Sequence, residues 1–189
     1  MPQSWFMLIL SAQSAIQRHA ASEGGRIPDE ASGLIMPKPI AALFIGDIHA
    51  GSDTGLCVPG HPIGSKQKRP YIASADQQWL YERWGELLGT VKARAKGHLL
   101  FVGLGGDMID GVQHHGTTQT SGTYSDQVSM ARELVKPFVG LADYAYGVLG
   151  MAAHVGDVGD NDAALYESLG VDYAASYRLQ IGGRVLWWA

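Results

Sequence analysis

Cysteine is nearly absent from this chain: Cys57 is the only one. An intrachain disulfide and a multi-thiolate zinc site are therefore excluded, and the usage fits a reducing compartment. No apolar run approaches the roughly 18 residues needed to span a bilayer. The first apolar stretch, Trp5-Phe-Met-Leu-Ile-Leu10, has no Lys or Arg before it, so it lacks the basic start of a secretory leader. A basic surplus is missing too. Lys and Arg total 14 against 18 Asp and Glu, a net charge of −4, which leaves no broad basic face for nucleic acid. A phosphate-bearing substrate stays open, because a bound dication can supply the positive charge. Gly103-Leu-Gly-Gly106 has neither of the glycine spacings that cradle a nucleotide, and there is no internal repeat.

What is present is a chain of 189 residues, 46% of them apolar, enough for one domain with a sizeable core. Residues 1–36 read as an N-terminal extension and linker: a short helix over 5–19, then a turn-rich stretch around Gly24-Gly-Arg-Ile-Pro28. From 37 to 189 the pattern is that of an α/β domain. Ile40 to Ile45 is a short run of strand formers ended by Gly46-Asp47. A long loop over about residues 50–73 follows. Ser74 and Gln77 have capping-box spacing and open a helix whose buried face carries Leu80, Trp84, Leu87, Leu88 and Val91. Leu99 to Leu104 is a second buried strand. A second helix, capped by Ser125, presents Val128, Ala131, Leu134, Val135, Phe138 and Leu141, and Pro137 kinks or ends it near Lys136. Residues 144–149 form a third, weaker strand, and a short helix capped by Asp160 runs to Leu169. Two strand-like segments around Gly182-Gly183 read as a hairpin. The Trp79/Trp84 and Trp187/Trp188 pairs read as packing residues, and His19, His61 and His98 as surface histidines. Strands alternating with helices imply a parallel sheet covered on both faces, with ligands outside the carboxyl ends of the strands.

That edge is where the chemistry gathers. Asp47 and His49 follow the first strand, Asp107 the second, and His154 the third. Positions i and i+2 of an extended segment point the same way, so Asp47 and His49 are placed to chelate one ion, with Asp107 brought alongside from the neighbouring strand. Carboxylate and imidazole ligands without thiols suit Mn, Fe or Zn, with Mg admissible. Paired ions clamp a phosphate and activate a water. His114 and His115 lie in a polar loop at the same edge, where one imidazole could reach substrate or metal; the alternative is an exposed loop pair.

At these residues the chain resembles the calcineurin-like metallophosphoesterases, whose signature runs Asp-x-His, Gly-Asp-x-x-Asp, Gly-Asn-His-Asp/Glu, a lone His and Gly-His-x-His. Gly46-Asp-Ile-His49 matches the first motif and Gly106-Asp-Met-Ile-Asp110 the second. Gly150-Met-Ala-Ala-His-Val-Gly156 is similar to a phage-type or uncharacterised variant of the third, with Ala153 at the position of the metal-binding Asn. The last two motifs do not occur, so the likeness covers about residues 38–189 and resembles the amino-terminal part of a domain whose carboxy-terminal part is missing. It implies a layered helix/sheet/sheet/helix sandwich and a metal-dependent hydrolase of phosphomonoesters or phosphodiesters. Two divalent ions are implied: Asp47 and His49 on the first, Asp107 bridging both. His154 would act on the substrate as acid or stabiliser, and Asp110 would orient a neighbouring imidazole. Without the Asn and the terminal histidines the second ion is poorly held, and Asp157, Asp160 or Asn161 are the nearest substitutes. The expected partner is a phosphate ester, with nucleic acid unsupported by charge and no membrane, in a cytoplasmic or phage-encoded intracellular protein. The other reading is a non-catalytic metal- or phosphate-binding domain, or an inactive fragment.

Overall fold

The computed structural model describes residues 6–10, 17–18, 38–111, 119–121, 123–150, 161–181 and 184–188. Its elements in chain order are β1 (Phe6–Leu10), β2 (Gln17–Arg18), β3 (Ile40–Ile45), β4 (Pro62–Ile63), β5 (Arg69–Pro70), α1 (Ala75–Arg94), β6 (Leu99–Leu104), α2 (Tyr124–Val139), β7 (Tyr144–Val148), α3 (Asn161–Leu169), β8 (Asp172–Ala174), β9 (Tyr177–Ile181) and β10 (Arg184–Trp188). A five-stranded sheet has the order β1-β3-β6-β7-β8. β3, β6, β7 and β8 run parallel, with Ile40 beside Leu99 and Gly103 beside Tyr146, and β1 joins antiparallel to β3. The class is thus mixed α/β.

The parallel strands are added in one direction, never reversing. Each β-α-β crossover is right-handed by preference, so a sheet that grows one way places its helices on a single face. Among the described residues all three helices share one face of this sheet. Ala41, Leu43, Ile45, Leu100, Val102 and Leu104 alternate onto the helix face, where they share one core with Trp84 and Val91 of α1, Leu134 and Phe138 of α2, and Leu165 and Tyr166 of α3. The opposite face holds Ile40, Ala42 and Phe101. An aromatic row crosses it, with Phe44, Phe101 and Tyr146 at centroid spacings of 5.8 Å and Tyr177 of β9 5.0 Å from Tyr146. β9 belongs to a second sheet, β10-β9-β2. Its β9-β10 pair is the hairpin expected around Gly182-Gly183, with Ile181 opposite Arg184.

The long apolar face of α1 forms as its spacing demands. The Ser74–Gln77 capping box is complete. Trp84 donates its indole N–H to Leu134 O at 2.9 Å and meets Phe138 edge-on at 4.8 Å, so α1 and α2 are joined by one large side chain. Trp79 does not share that role: it is 58% exposed, because its position on the helix turns it away from the sheet. Gln77 is buried, its amide donating to Ser52 O and Gly55 O.

Three expectations change. The helix over 5–19 is replaced, among the described residues, by β1 and β2. A five-residue run that is apolar throughout has no polar face to offer as a surface helix, and it satisfies its backbone against the free edge of β3. The second helix starts two residues earlier than expected, with Thr123 as N-cap and Ser125 inside the first turn, and it continues through Pro137 to Val139. Pro137 removes one N–H but leaves the neighbouring ladder intact, since Gly140 N still reaches Lys136 O at 2.9 Å. The 50–73 loop reaches into the core: Leu56, Cys57 and Val58 are core residues and a short β4-β5 ladder closes it. His61 within it is buried, 4% exposed, with Nδ1 2.9 Å from Glu133 of α2. The site expectations at His114, His115 and His154, the cap Asp160 and the side chains of Trp187 and Trp188 lie outside the described residues.

Candidate metal centre

β3 and β6 end side by side, and their chains continue together beyond the sheet. Gly105 N reaches Ile45 O, Asp47 N reaches Gly106 O at 3.1 Å, His49 N reaches Asp107 O at 3.0 Å and Ala50 N reaches Met108 O at 3.0 Å. Along this paired segment Ile48 and Met108 are fully buried. The residues between them turn outward, and they do so by an unusual backbone. Asp47, His49 and Asp107 have φ of 52°, 45° and 57°, and they are the only non-glycine residues with positive φ among those described. The segment is therefore not extended, as the i, i+2 argument assumed. Left-handed kinks at alternate positions achieve the same convergence. Asp, Asn and His tolerate this region better than other side chains, yet it costs of order 1 kcal/mol or more per residue.

The result is three ligating groups at one point. One atom each from Asp47, His49 and Asp107 lies within 4.8 Å of the others. Asp47 is exposed, His49 27% exposed and Asp107 9% exposed, so the cluster opens to solvent on one side and is walled on the other. Two carboxylates and an imidazole so placed could hold a divalent cation, and their donor chemistry suits the Mn, Fe or Zn class. Asp110 stands behind the imidazole, with Oδ1 3.4 Å from His49 Nδ1. A carboxylate beside one ring nitrogen is a common support for a metal-ligating histidine, with the other nitrogen left for the ion.

Behind the cluster the packing is tight enough to require glycine. A Cβ on Gly106 would come within 2.2 Å of Gly150 Cα, so the ends of β6 and β7 touch backbone to backbone. Tyr166, fully buried, donates its hydroxyl to Val148 O at 2.8 Å and lies 3.2 Å from Gly105 O, tying the same two strand ends to α3. On the other flank Gln127 of α2 donates to Gly111 O and Ser121 O and accepts from Gly111 N, while Thr120 N reaches Gly51 O. These contacts hold the chain on both sides of residues 112–118.

One carboxylate here escaped the sequence reading. Asp162, in the first turn of α3, is 4% exposed and accepts three backbone N–H groups: Asp107 and Gly150 on Oδ2, Met108 on Oδ1. Burial pushes its carboxyl up to about 6; the amides of Gly150 and Asp107 oppose that, and the charge of Asp107 adds to it. Its spacing from the motifs carries no signature, and an acidic residue in a helix's first turn usually serves its own helix. Cys57 contributes no chemistry, since burial lifts its thiol to about 11 and leaves it inert at neutral pH. No helix among the described residues is long and apolar enough to cross a membrane. No protein-family model matches the chain, and no curated protein or solved structure matches it either.

Proposed function

We propose that this chain is a metal-dependent phosphoesterase domain of the calcineurin-like kind, acting on phosphomonoesters or phosphodiesters. The observation that carries the reading is the coincidence of two independent patterns. Three of the residues that match the first two family motifs, Asp47, His49 and Asp107, are also the three that leave ordinary backbone geometry and bring their ligating atoms within 4.8 Å. Strained backbone persists where surrounding structure over-determines it, and it clusters at functional sites.

In this proposal Asp47 and His49 hold the first of two divalent ions, and Asp107 bridges to the second. Divalent ions, when bound, draw in a phosphoryl group and acidify the attacking water. Asp110 keeps the His49 ring oriented and His154 serves the substrate as acid or transition-state stabiliser. His114 and His115 contact the substrate. The layered sandwich is supported by the described helices sharing one sheet face and by Tyr177 of the second sheet against the aromatic row of the other. The test is turnover of a generic aryl phosphodiester by manganese-loaded protein, with Asp107→Asn as the control. Activity surviving that substitution rejects the assignment.

A second reading, a metal- or phosphate-binding domain without turnover, draws on Ala153 standing where the family has a ligand. It expects one weakly bound ion per chain, so metal analysis finding two tightly held ions excludes it.

A further inference from the structure

We infer that Asp162 is a positioning residue whose buried carboxylate holds Asp107 in its left-handed conformation and so sets the affinity of the cluster for a divalent cation. The inference rests on the metal reading of Asp47, His49 and Asp107. Three observations carry it.

First, the donors to Asp162 are foreign to its own helix. The amides of Asp107 and Met108, at 3.0 and 3.1 Å, come from the end of β6, and that of Gly150, at 3.1 Å, from the end of β7. An acidic side chain in the first turn ordinarily serves the amides of its own turn; this one serves the strand ends instead. Second, the two β6 amides are successive, and the residue they flank is left-handed, φ 57°. Successive N–H groups converging at such a kink form an anion-binding concavity. The carboxylate of Asp162 fills it from behind, and while it does so Asp107 keeps its kink. Third, the Asp107 side chain has little room to turn. A Cβ on Gly150 would lie 2.5 Å from Asp107 Oδ1, so the Gly150 backbone whose amide Asp162 grips also walls the Asp107 carboxylate. Asp162 is not itself a ligand. Both of its oxygens are occupied by amides, it is 4% exposed, and the ligating cluster among the described residues is Asp47, His49 and Asp107. Its negative charge, sealed behind Asp107, adds to the potential that favours a cation in front.

The variant is Asp162→Asn, which keeps the shape but replaces one acceptor oxygen with an NH2 facing an amide donor. Manganese binding is read by electron paramagnetic resonance titration well below the melting temperature. Supporting groups of this kind typically set affinity by about 10–100-fold, so the dissociation constant of the variant rises by that factor. Tyr166→Phe is the comparison: it removes a hydroxyl from the same helix and strand ends, lowers the melting temperature and leaves manganese affinity within twofold. Equal affinity in Asp162→Asn and wild type overturns the positioning role while leaving the metal reading intact. Wild-type protein that binds no manganese rejects the metal reading beneath it. If Asp162→Asn does not fold, hydrogen exchange on the wild type decides. The Asp107, Met108 and Gly150 amides exchange slowly, and slower still with added zinc; exchange at the rate of open loop amides refutes the inference.

Discussion

Asp107→Asn separates stability from function at this cluster, and the structure fixes the direction of both. Asp107 and Asp47 bring carboxylate oxygens within 4.8 Å of each other, and Asp162 lies buried on the far side of Asp107. Two unit charges at that distance repel by about 3 kcal/mol at an effective dielectric near 20, and by under 1 kcal/mol in bulk water. Because Asp47 is exposed the lower figure governs that pair, and the charge of Asp162, buried behind Asp107, adds to the repulsion. Asn also tolerates φ 57° at least as well as Asp. The metal-free variant should therefore be more stable than wild type by about 1–2 kcal/mol. For a chain of this length that is roughly 2–4 °C in Tm per kcal/mol. With manganese at a hundred times its dissociation constant, wild type gains about 2.7 kcal/mol by mass action, and the variant gains little. The order of the two Tm values then reverses on adding metal, which differential scanning calorimetry with and without manganese reads directly. A metal-free Asp107→Asn less stable than wild type would show that the carboxylate is structural rather than held against repulsion. An equal gain with manganese in both proteins would show that the ion binds elsewhere.

Two further outcomes test the scaffold around the cluster. Burial alone would raise the Asp126 carboxyl, but the amide of Gly64, the Lys68 ammonium and the Ser121 hydroxyl hold it below the ordinary carboxylate value. A lowered native pKa contributes stability that is present above the ordinary carboxylate range and lost as pH falls through the native value; Asp126→Asn should flatten the acid limb of the stability–pH curve measured by urea unfolding, and lower neutral-pH stability by about 1–3 kcal/mol. Trp84→Ala should cost about 3–5 kcal/mol, as deletion of a buried aromatic does, whereas Trp79→Ala, more than half exposed, should change stability by under about 0.5 kcal/mol; equal losses from the two would contradict the packing of α1.

Much of the α/β frame was legible because its signals are local. The 3.6-residue recurrence of Trp84 and Val91, the Ser74–Gln77 box and the glycine turn between β9 and β10 each lie within a few neighbours of the residues they govern. The errors fell where a distant partner decides. Residues 6–10 became a strand because β3 offers an open edge, and nothing within the run itself announces that. His61 was read as a surface residue because its burial depends on Glu133, 72 positions away.

The candidate centre divides in the same way. Asp47, His49 and Asp107 were legible as residue types at strand ends, but the reason they meet was not. Alternation along an extended strand would bring Asp47 and His49 to one side at no conformational cost. The chain instead adopts left-handed backbone at both, and at Asp107, while Ile48 and Met108 remain fully buried. Core burial and ligand convergence thus impose competing demands on the same five-residue stretches, and the kinks reconcile them. Such a conformation needs support from outside the stretch. At Asp107 that support is visible in the amides gripped by Asp162, 55 positions later in the chain. A motif can therefore specify which groups face a cation, but how firmly the chain holds them rests on residues that carry no motif.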